Sequence, residues 1–249
     1  MKSAETSLRL VELANGLDAT SDVDVVRAIL DETGALLDAT HWIFATIAPQ
    51  TSPIESWRFL VGCPAKWCQI YARNHWYLND PVMQYALENT TPRLISNLPL
   101  STAGQRRMLQ EAKQFGFDDG IVVPAHGPNN IRVGALYLAY AVARTMPLEL
   151  LNAVRSALRA LAATLLDWDS ACLRRDLLNE TRLTEREIRL LGYELRGFTA
   201  QDIANLEEVP VNSVNRTFGS IINKMGMTNK REAARLALAS GLVFHAMEA

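Results

Sequence analysis

Apolar residues recur along this chain at several spacings, and each spacing predicts a different kind of element. Over residues 4–37, Leu10, Leu13 and Leu17, then Val25, Val26, Ile29 and Leu30, fall at helical steps. Two helices are predicted there, parted by a Ser21-Asp22 pair that offers an N-cap. Short β-prone runs follow at Trp42 to Ile47, Trp57 to Val61, Ile121 to Pro124 and Val133 to Val142. A Pro-containing loop separates the first two, and His126-Gly127-Pro128-Asn129-Asn130 separates the last two. Helices are predicted between them at Ala65 to Arg73, Pro81 to Glu88 and Ala103 to Phe115. The fold class expected is α+β, an N-terminal α/β/α sandwich with a mainly antiparallel sheet.

From Pro147 to Trp168 the residues Leu151, Val154, Leu158, Leu161, Leu165 and Trp168 alternate steps of three and four, one seam of a long helix. Such a seam packs either on the sheet of its own domain or against a second copy of the chain. The charge-rich stretch Asp169 to Arg182 lies between two apolar patterns and is read as holding the linker, 171–182, between domains 1–170 and 183–249.

Beyond it the pattern is helical throughout. Thr184 followed by Glu187 is a capping box that starts a helix at Glu185, which runs to Arg196 and stops at Gly197. Thr199 and Asp202 repeat the signature ahead of Ile203, Ala204 and Leu206, and Pro210 suits the N-terminus of a third helix, Val211 to Met225. That helix gathers Val211, Val214, Phe218, Ile221, Ile222 and Met225 on one face and Asn212, Asn215, Arg216, Gly219, Ser220 and Asn223 on the other. The expected C-terminal unit is an all-α, four-helix module with a helix-turn-helix, spanning Thr184 to Val243.

Composition narrows the possible functions. A chain of 249 residues, 49% hydrophobic and 21% charged, is long enough for two ordinary domains. Its net charge of −2 excludes a protein that coats nucleic acid by bulk charge. Between Asn212 and Arg235, however, five bases (Arg216, Lys224, Lys230, Arg231 and Arg235) meet one acid, Glu232, a local net of +4. With the polar outer face of the third helix, this matches a recognition helix entering the major groove; the alternative is the solvated face of an ordinary helical bundle. Three cysteines without zinc-type spacing suit reduced thiols, and no apolar run approaches the ~20 residues that span a bilayer, so a cytoplasmic location without membrane contact is expected. His41, His75, His126 and His245 are scattered, and no Gly-x-Ser-x-Gly or phosphate loop occurs, so neither catalysis, a metal nor a cofactor is expected.

In the N-terminal half, Trp67 and Tyr71 lie one helical turn apart, and Asp80-Pro81 opens the next predicted helix. Two amphipathic aromatics beside one carboxylate suit an apolar small-molecule pocket with a few polar anchors. The same residues also fit an aromatic core and an ordinary N-cap.

Residues 183–243 resemble the helix-turn-helix of the LuxR family through Leu183, Thr184, Arg186, Glu187, Ile203, Ala204, Ser213, Val214, Lys224, Met225, Gly226, Gly241, Leu242 and Val243. Glu207, Pro210, Asn215 and Thr217 depart from that pattern, standing where leucine, serine, lysine and histidine are usual. The N-terminal half resembles the LuxR-type quorum-sensing receptors through Trp67, Tyr71, Asp80 and Pro81, and through Phe115 to Gly120, Val123 to Pro128 and Gly134 to Leu136. The resemblance implies an N-acyl-homoserine lactone as ligand, with Asp80 accepting its amide N–H, Trp67 donating to the lactone carbonyl and Tyr71 donating to the acyl carbonyl. It also places Ile95 where a second tryptophan is usual and Tyr137 where a serine or threonine is usual, both in the pocket. DNA contacts would fall to Asn212, Asn215, Arg216, Ser220, Asn223, Lys224, Lys230 and Arg231. The implied protein is a quorum-sensing transcriptional regulator that binds a pseudo-palindromic operator as a homodimer. The alternatives are an orphan regulator answering to another small molecule or to none, and an anti-activator acting through mixed dimers.

Overall fold

A computed structural model describes residues 2–49, 57–141 and 146–243. Val142, the end of the last predicted strand, and His245 lie outside the described residues. The chain divides into two compact units, Met1–Trp168 and Asp169–Ala249.

The first unit opens with α1 (Lys2–Asp18) and α2 (Val23–Leu36), the second capped by Asp22, whose carboxylate accepts the backbone N–H of Asp24 at 2.8 Å. A five-stranded antiparallel sheet follows, β1 (His41–Ile47), β2 (Arg58–Gly62), β3 (Arg93–Leu94), β4 (Asp119–His126) and β5 (Val133–Tyr140), in the order β2-β1-β5-β4-β3. The mainly antiparallel sheet is as expected. β3, with two residues, is too short to carry a period and has no counterpart in the apolar pattern.

Alternation sorts the strands onto two faces. One carries Trp42, Phe44, Leu136 and Leu138, all nearly inaccessible. It faces α1, α2 and the first part of α6 (Leu148–Thr181): the Trp42 indole N–H donates to Asp31 of α2 at 2.7 Å, and Phe44 and Leu166 of α6 close around Gly134. The other face carries Ile43, Ala45, Ala135 and Tyr137 and is covered by α3 (Ala65–Arg73), α4 (Pro81–Glu88) and α5 (Ala103–Lys113). The unit is thus an α/β/α sandwich.

α6 resolves the two readings of its seam. Val154, Leu158, Leu161 and Leu165 are fully buried within the single chain, so the chain's own core fills the seam. The helix does not stop at Trp168 but continues to Thr181, through residues read as a linker. No glycine or proline interrupts 169–181, and the break comes at Arg182, which adopts a left-handed φ of 50°.

The second unit contains α7 (Glu185–Leu195), α8 (Ala200–Leu206), α9 (Val211–Met225) and α10 (Lys230–Ala239). Both capping boxes form, Thr184 with Glu187 and Thr199 with Asp202. Gly197 and Gly226 take left-handed φ values of 80° and 66° at helix ends. Val214, Phe218, Ile221 and Met225 of α9 are buried, as its periodicity requires. Among the described residues no helix is long and apolar enough to cross a membrane.

Two glycines make opposite tests of this packing. A Cβ at Gly62 would lie 2.2 Å from the Trp42 indole, so Gly62→Ala should lower unfolding free energy by about 1–3 kcal/mol through overpacking. A Cβ at Gly192, inside α7, would meet nothing within 4 Å, so Gly192→Ala should raise it by roughly 0.5–1 kcal/mol. Denaturant titration of each variant measures both signs.

Candidate functional site

A cavity of about 470 Å³ lies between the sheet and the helices α3 to α5. Its floor is built by register. Val61, Ile43 and Tyr137 stand side by side on β2, β1 and β5, and Phe59, Ala45 and Ala135 form the next row. The two alanines leave the floor low and so make room above it. Tyr137 lies flat across β4 because Gly120 has no side chain; a Cβ there would sit 2.1 Å from the Tyr137 ring.

The walls are aromatic. α3 contributes Trp67 and Tyr71 from one face, with ring centroids 6.0 Å apart. Trp67 is held by Trp76 at 5.4 Å, Phe117 at 5.4 Å and Phe115 at 5.8 Å, so its indole is fixed in place. Trp57 stacks on Phe59 at 5.5 Å, with ring planes 3° apart, and Tyr77 meets Trp57 edge-on.

Into this apolar space projects one carboxylate. Asp80 caps α4, and Pro81 supplies the fixed φ of that helix's first residue. Its Oδ1 accepts the Val82 backbone N–H at 2.7 Å, and its Oδ2 accepts the Tyr71 hydroxyl at 2.7 Å. Asp80, Tyr71 and Tyr137 line the cavity, with protein packed around them. Burial therefore pushes the Asp80 carboxyl above its ordinary value, against the lowering effect of the Tyr71 and backbone hydrogen bonds. Burial likewise raises the Tyr71 and Tyr137 phenols; the Asp80 charge raises Tyr71 further, and the Asp119 and Asp80 charges raise Tyr137 further. Among the described residues, neither the Trp67 indole N–H nor the Tyr137 hydroxyl has a hydrogen-bond partner. The site can take an apolar tail and bind a head group that brings at least one donor for Asp80.

The structure brings Trp67, Tyr71, Asp80 and Tyr137 to one cavity. Ile95 is not among its lining residues: it sits in a 3₁₀ turn and packs in the core cluster with Val82, Met83 and Val122. Trp57, Phe59, Tyr77 and Met108 line the cavity without having been singled out in the sequence. For Trp57, Phe59 and Val61 the signal was present, since steps of two in a strand put all three on one face.

The second candidate site is the outer face of α9. Asn212, Asn215, Arg216 and Asn223 are exposed and, among the described residues, carry no hydrogen-bond or ionic partner. The other four predicted contacts are engaged within the unit. Lys224 donates to Glu187 at 2.7 Å and to the Arg182 carbonyl at 3.3 Å, and the Ser220 hydroxyl donates to Glu187 at 3.2 Å. Lys230 pairs with Glu194 at 2.6 Å, and Arg231 approaches the same carboxylate at 4.0 Å while remaining 84% exposed. Glu207, at the end of α8, has an equivalent reason: it pairs with Arg186 at 3.4 Å and Arg189 at 3.5 Å of α7. Among the described residues no cluster of three or more His, Cys, Asp or Glu side chains is placed to hold a metal ion.

Burial pushes the Glu187 carboxyl up, but the hydrogen bonds from Lys224, Thr184 and Ser220 outweigh it and hold the group below its ordinary value. A depressed carboxylate stabilises the fold above its unfolded-state pKa, and that contribution is lost as pH falls through the folded one. Glu187→Ala should therefore destabilise the C-terminal unit at neutral pH by about 1–2 kcal/mol, since it removes a partly exposed ion pair with Lys224 and half a capping box. On acidification below the ordinary carboxylate range the gap between variant and parent should close, which helical circular dichroism against denaturant at each pH measures.

The family model described as the autoinducer binding domain matches residues 22–167. The chain is similar to the transcriptional activator protein AhyR of Aeromonas hydrophila, 24% identical over 258 residues, covering 96% of this chain and 94% of that protein. It is also similar to the HTH-type quorum sensing-dependent transcriptional regulator RpaR of Rhodopseudomonas palustris, 22% identical over 240 residues, covering 95% and 94%. Among solved structures, SdiA in complex with octanoyl-rac-glycerol shares the fold, with a TM-score of 0.72 at 19% identity over 96% of this chain and 97% of that one.

Proposed function

This chain belongs to the autoinducer-binding family of LuxR-type quorum-sensing transcriptional regulators, and from that premise we propose that it binds an N-acyl-homoserine lactone in the cavity beside Asp80 and operator DNA through α9. The observation that carries the ligand reading is the Tyr71–Asp80 pair inside an otherwise apolar cavity.

A secondary amide has one donor and one acceptor, and the pair can take both. When the ligand N–H reaches Asp80, the carboxylate can release the Tyr71 proton, and the freed hydroxyl donates to the acyl carbonyl. The number of hydrogen bonds does not fall in the exchange, so a buried charge is never left unpaired. Trp67, held rigidly by its aromatic neighbours and without a partner for its N–H, donates to the lactone carbonyl. The acyl chain lies along the floor formed by Ala45 and Ala135, toward Trp57 and Phe59. Ligand binding to the native state stabilises it by RT ln(1 + [L]/Kd), ~2.7 kcal/mol at a hundredfold excess over Kd.

A second reading rests on Tyr137, whose unpartnered hydroxyl adds a polar group on the floor of the cavity. It favours an acyl ligand with a hydroxylated head, the class to which the octanoyl-rac-glycerol bound by SdiA belongs.

For the output, the free side chains Asn212, Asn215, Arg216 and Asn223 read base edges and phosphates, while Lys224 and Lys230 serve first to hold the scaffold. The functional species is a homodimer on a pseudo-palindromic operator, as the symmetry of helix-turn-helix sites requires.

Asp80→Asn separates ligand recognition from folding. Asparagine caps a helix about as well as aspartate, and removing a carboxyl whose pKa is raised by burial relieves a cost to folding at neutral pH. The variant should match the parent in melting temperature without ligand, within the few degrees that ~1 kcal/mol represents. It should lose the thermal upshift that N-octanoyl-homoserine lactone gives the parent. An equal upshift in both proteins would refute the role of Asp80, and an upshift of the parent with 1-octanoyl-glycerol alone would select the second reading.

Arg216→Ala should weaken operator binding by about 1–3 kcal/mol and leave thermal stability unchanged. Lys224→Ala should lower both, through loss of its bond to Glu187. Fluorescence anisotropy on labelled operator, run beside a melting curve, tells the two roles apart.

A further inference from the structure

Where β2 ends and α3 begins, two thiols stand in contact. Cys63 follows the last residue of β2, Cys68 lies in the second turn of α3, and their Sγ atoms are 3.5 Å apart. Both are free and only half-buried. Cys68 is one of the residues that line the cavity. Cys63 packs instead against the cluster of Trp67, Trp76 and Met108. A disulfide needs its sulfurs to close to ~2.05 Å, and two thiols already in contact need little backbone movement to do so. The four intervening residues include Pro64, which holds the turn between strand and helix.

We propose that Cys63 and Cys68 are a redox-active dithiol that a hydroperoxide converts to a disulfide, tying the first turns of α3 to the end of β2. Cys68 attacks the peroxide as thiolate: its sulfur takes one oxygen as sulfenic acid, and the other oxygen leaves as water or alcohol. Cys63 then attacks the sulfenic sulfur, the S–S bond forms, and the second oxygen departs as water with the remaining proton. Two thiols and one hydrogen peroxide give one disulfide and two waters. Burial pushes the Cys63 thiol up, which leaves the first attack to Cys68; Cys63 gives up its proton only as it attacks, to the departing hydroxide. In a reducing compartment such a bond is transient, as redox-sensing disulfides are.

The cross-link acts on the element that carries Trp67 and Tyr71, so oxidation fixes one wall of the cavity. Cys172, buried in the other unit, is the internal control.

The test uses the reduced full-length chain, exposed to hydrogen peroxide, alkylated and digested. Trypsin cuts after Arg58, Lys66 and Arg73, so the two cysteines fall on separate peptides, 59–66 and 67–73. The expected product is these two peptides joined, two hydrogens lighter than their sum, separated by dithiothreitol, with Cys172 alkylated. In Cys63→Ser the joined pair should vanish and Cys68 should accumulate as sulfenic acid. Amides of α3 should exchange with deuterium roughly threefold more slowly, or slower still, in the oxidised chain. Two alkylated thiols after peroxide, or Cys68 driven to sulfinic acid beside a free Cys63, would overturn the dithiol, and unchanged α3 exchange in the disulfide form would overturn the clamp. None of these readouts depends on which ligand the cavity takes.

Discussion

The N-terminal unit is organised around one buried carboxylate that must never be left without a donor. Asp80 is placed in an apolar cavity by its duty as a helix cap, and Val82 and Tyr71 satisfy its two oxygens. An uncompensated charge in such surroundings costs several kcal/mol, so whatever removes the Tyr71 proton must bring a donor of its own. In the proposed complex this constraint turns a structural cap into a chemical filter. Apolar tails would lie along the floor of alanines and aromatics, whereas a head group without a donor would leave Asp80 with Tyr71 and gain nothing from it. The rest of the unit supports that arrangement. The aromatic ring cluster fixes Trp67, and Gly120 lets Tyr137 lie flat instead of filling the space.

Glutamates, Glu187 buried and Glu194 and Glu207 partly so, do comparable work in the C-terminal unit. Glu187 joins the start of α7 to the end of α9, Glu194 joins α7 to α10, and Glu207 joins α8 to α7. Bases that give this segment its local +4 are therefore partly spent on internal pairs. That changes the meaning of the charge. Arg216, Asn212, Asn215 and Asn223 remain free on α9, so the outer face of that helix is more polar than its base count suggests. Glu207, which departs from an apolar position in the family pattern, is explained by its two arginine partners and not by loss of the scaffold.

What was legible in the sequence was whatever is local. Capping boxes at Thr184 and Thr199, the faces of α9, and the pairing of Trp67 with Tyr71 all rest on spacings of three or four residues. The cavity floor rests on cross-strand register, which brings Val61, Ile43 and Tyr137 together from positions far apart in the chain. No local pattern holds that information, although the alternation of Trp57, Phe59 and Val61 does put those three on a common face. Ile95 was placed by motif position alone, and the 3₁₀ turn that carries it directs it into the core. The long reach of α6 was obscured by charge: Asp169 to Thr181 reads as a polar break, yet with no glycine or proline to stop it the helix continues. Lys224 and Lys230 were read from net charge, whereas their partners lie 37 and 36 residues earlier.

In the proposed complex a ligand amide displaces the Tyr71 hydroxyl from Asp80. A crystal structure of the full chain with N-octanoyl-homoserine lactone tests it most directly. The ligand N–H should lie within hydrogen-bond distance of an Asp80 oxygen, with the Tyr71 hydroxyl turned to the acyl carbonyl and the acyl chain over Ala45 and Ala135. A bound ligand with the Tyr71–Asp80 hydrogen bond intact and its amide directed elsewhere would contradict it.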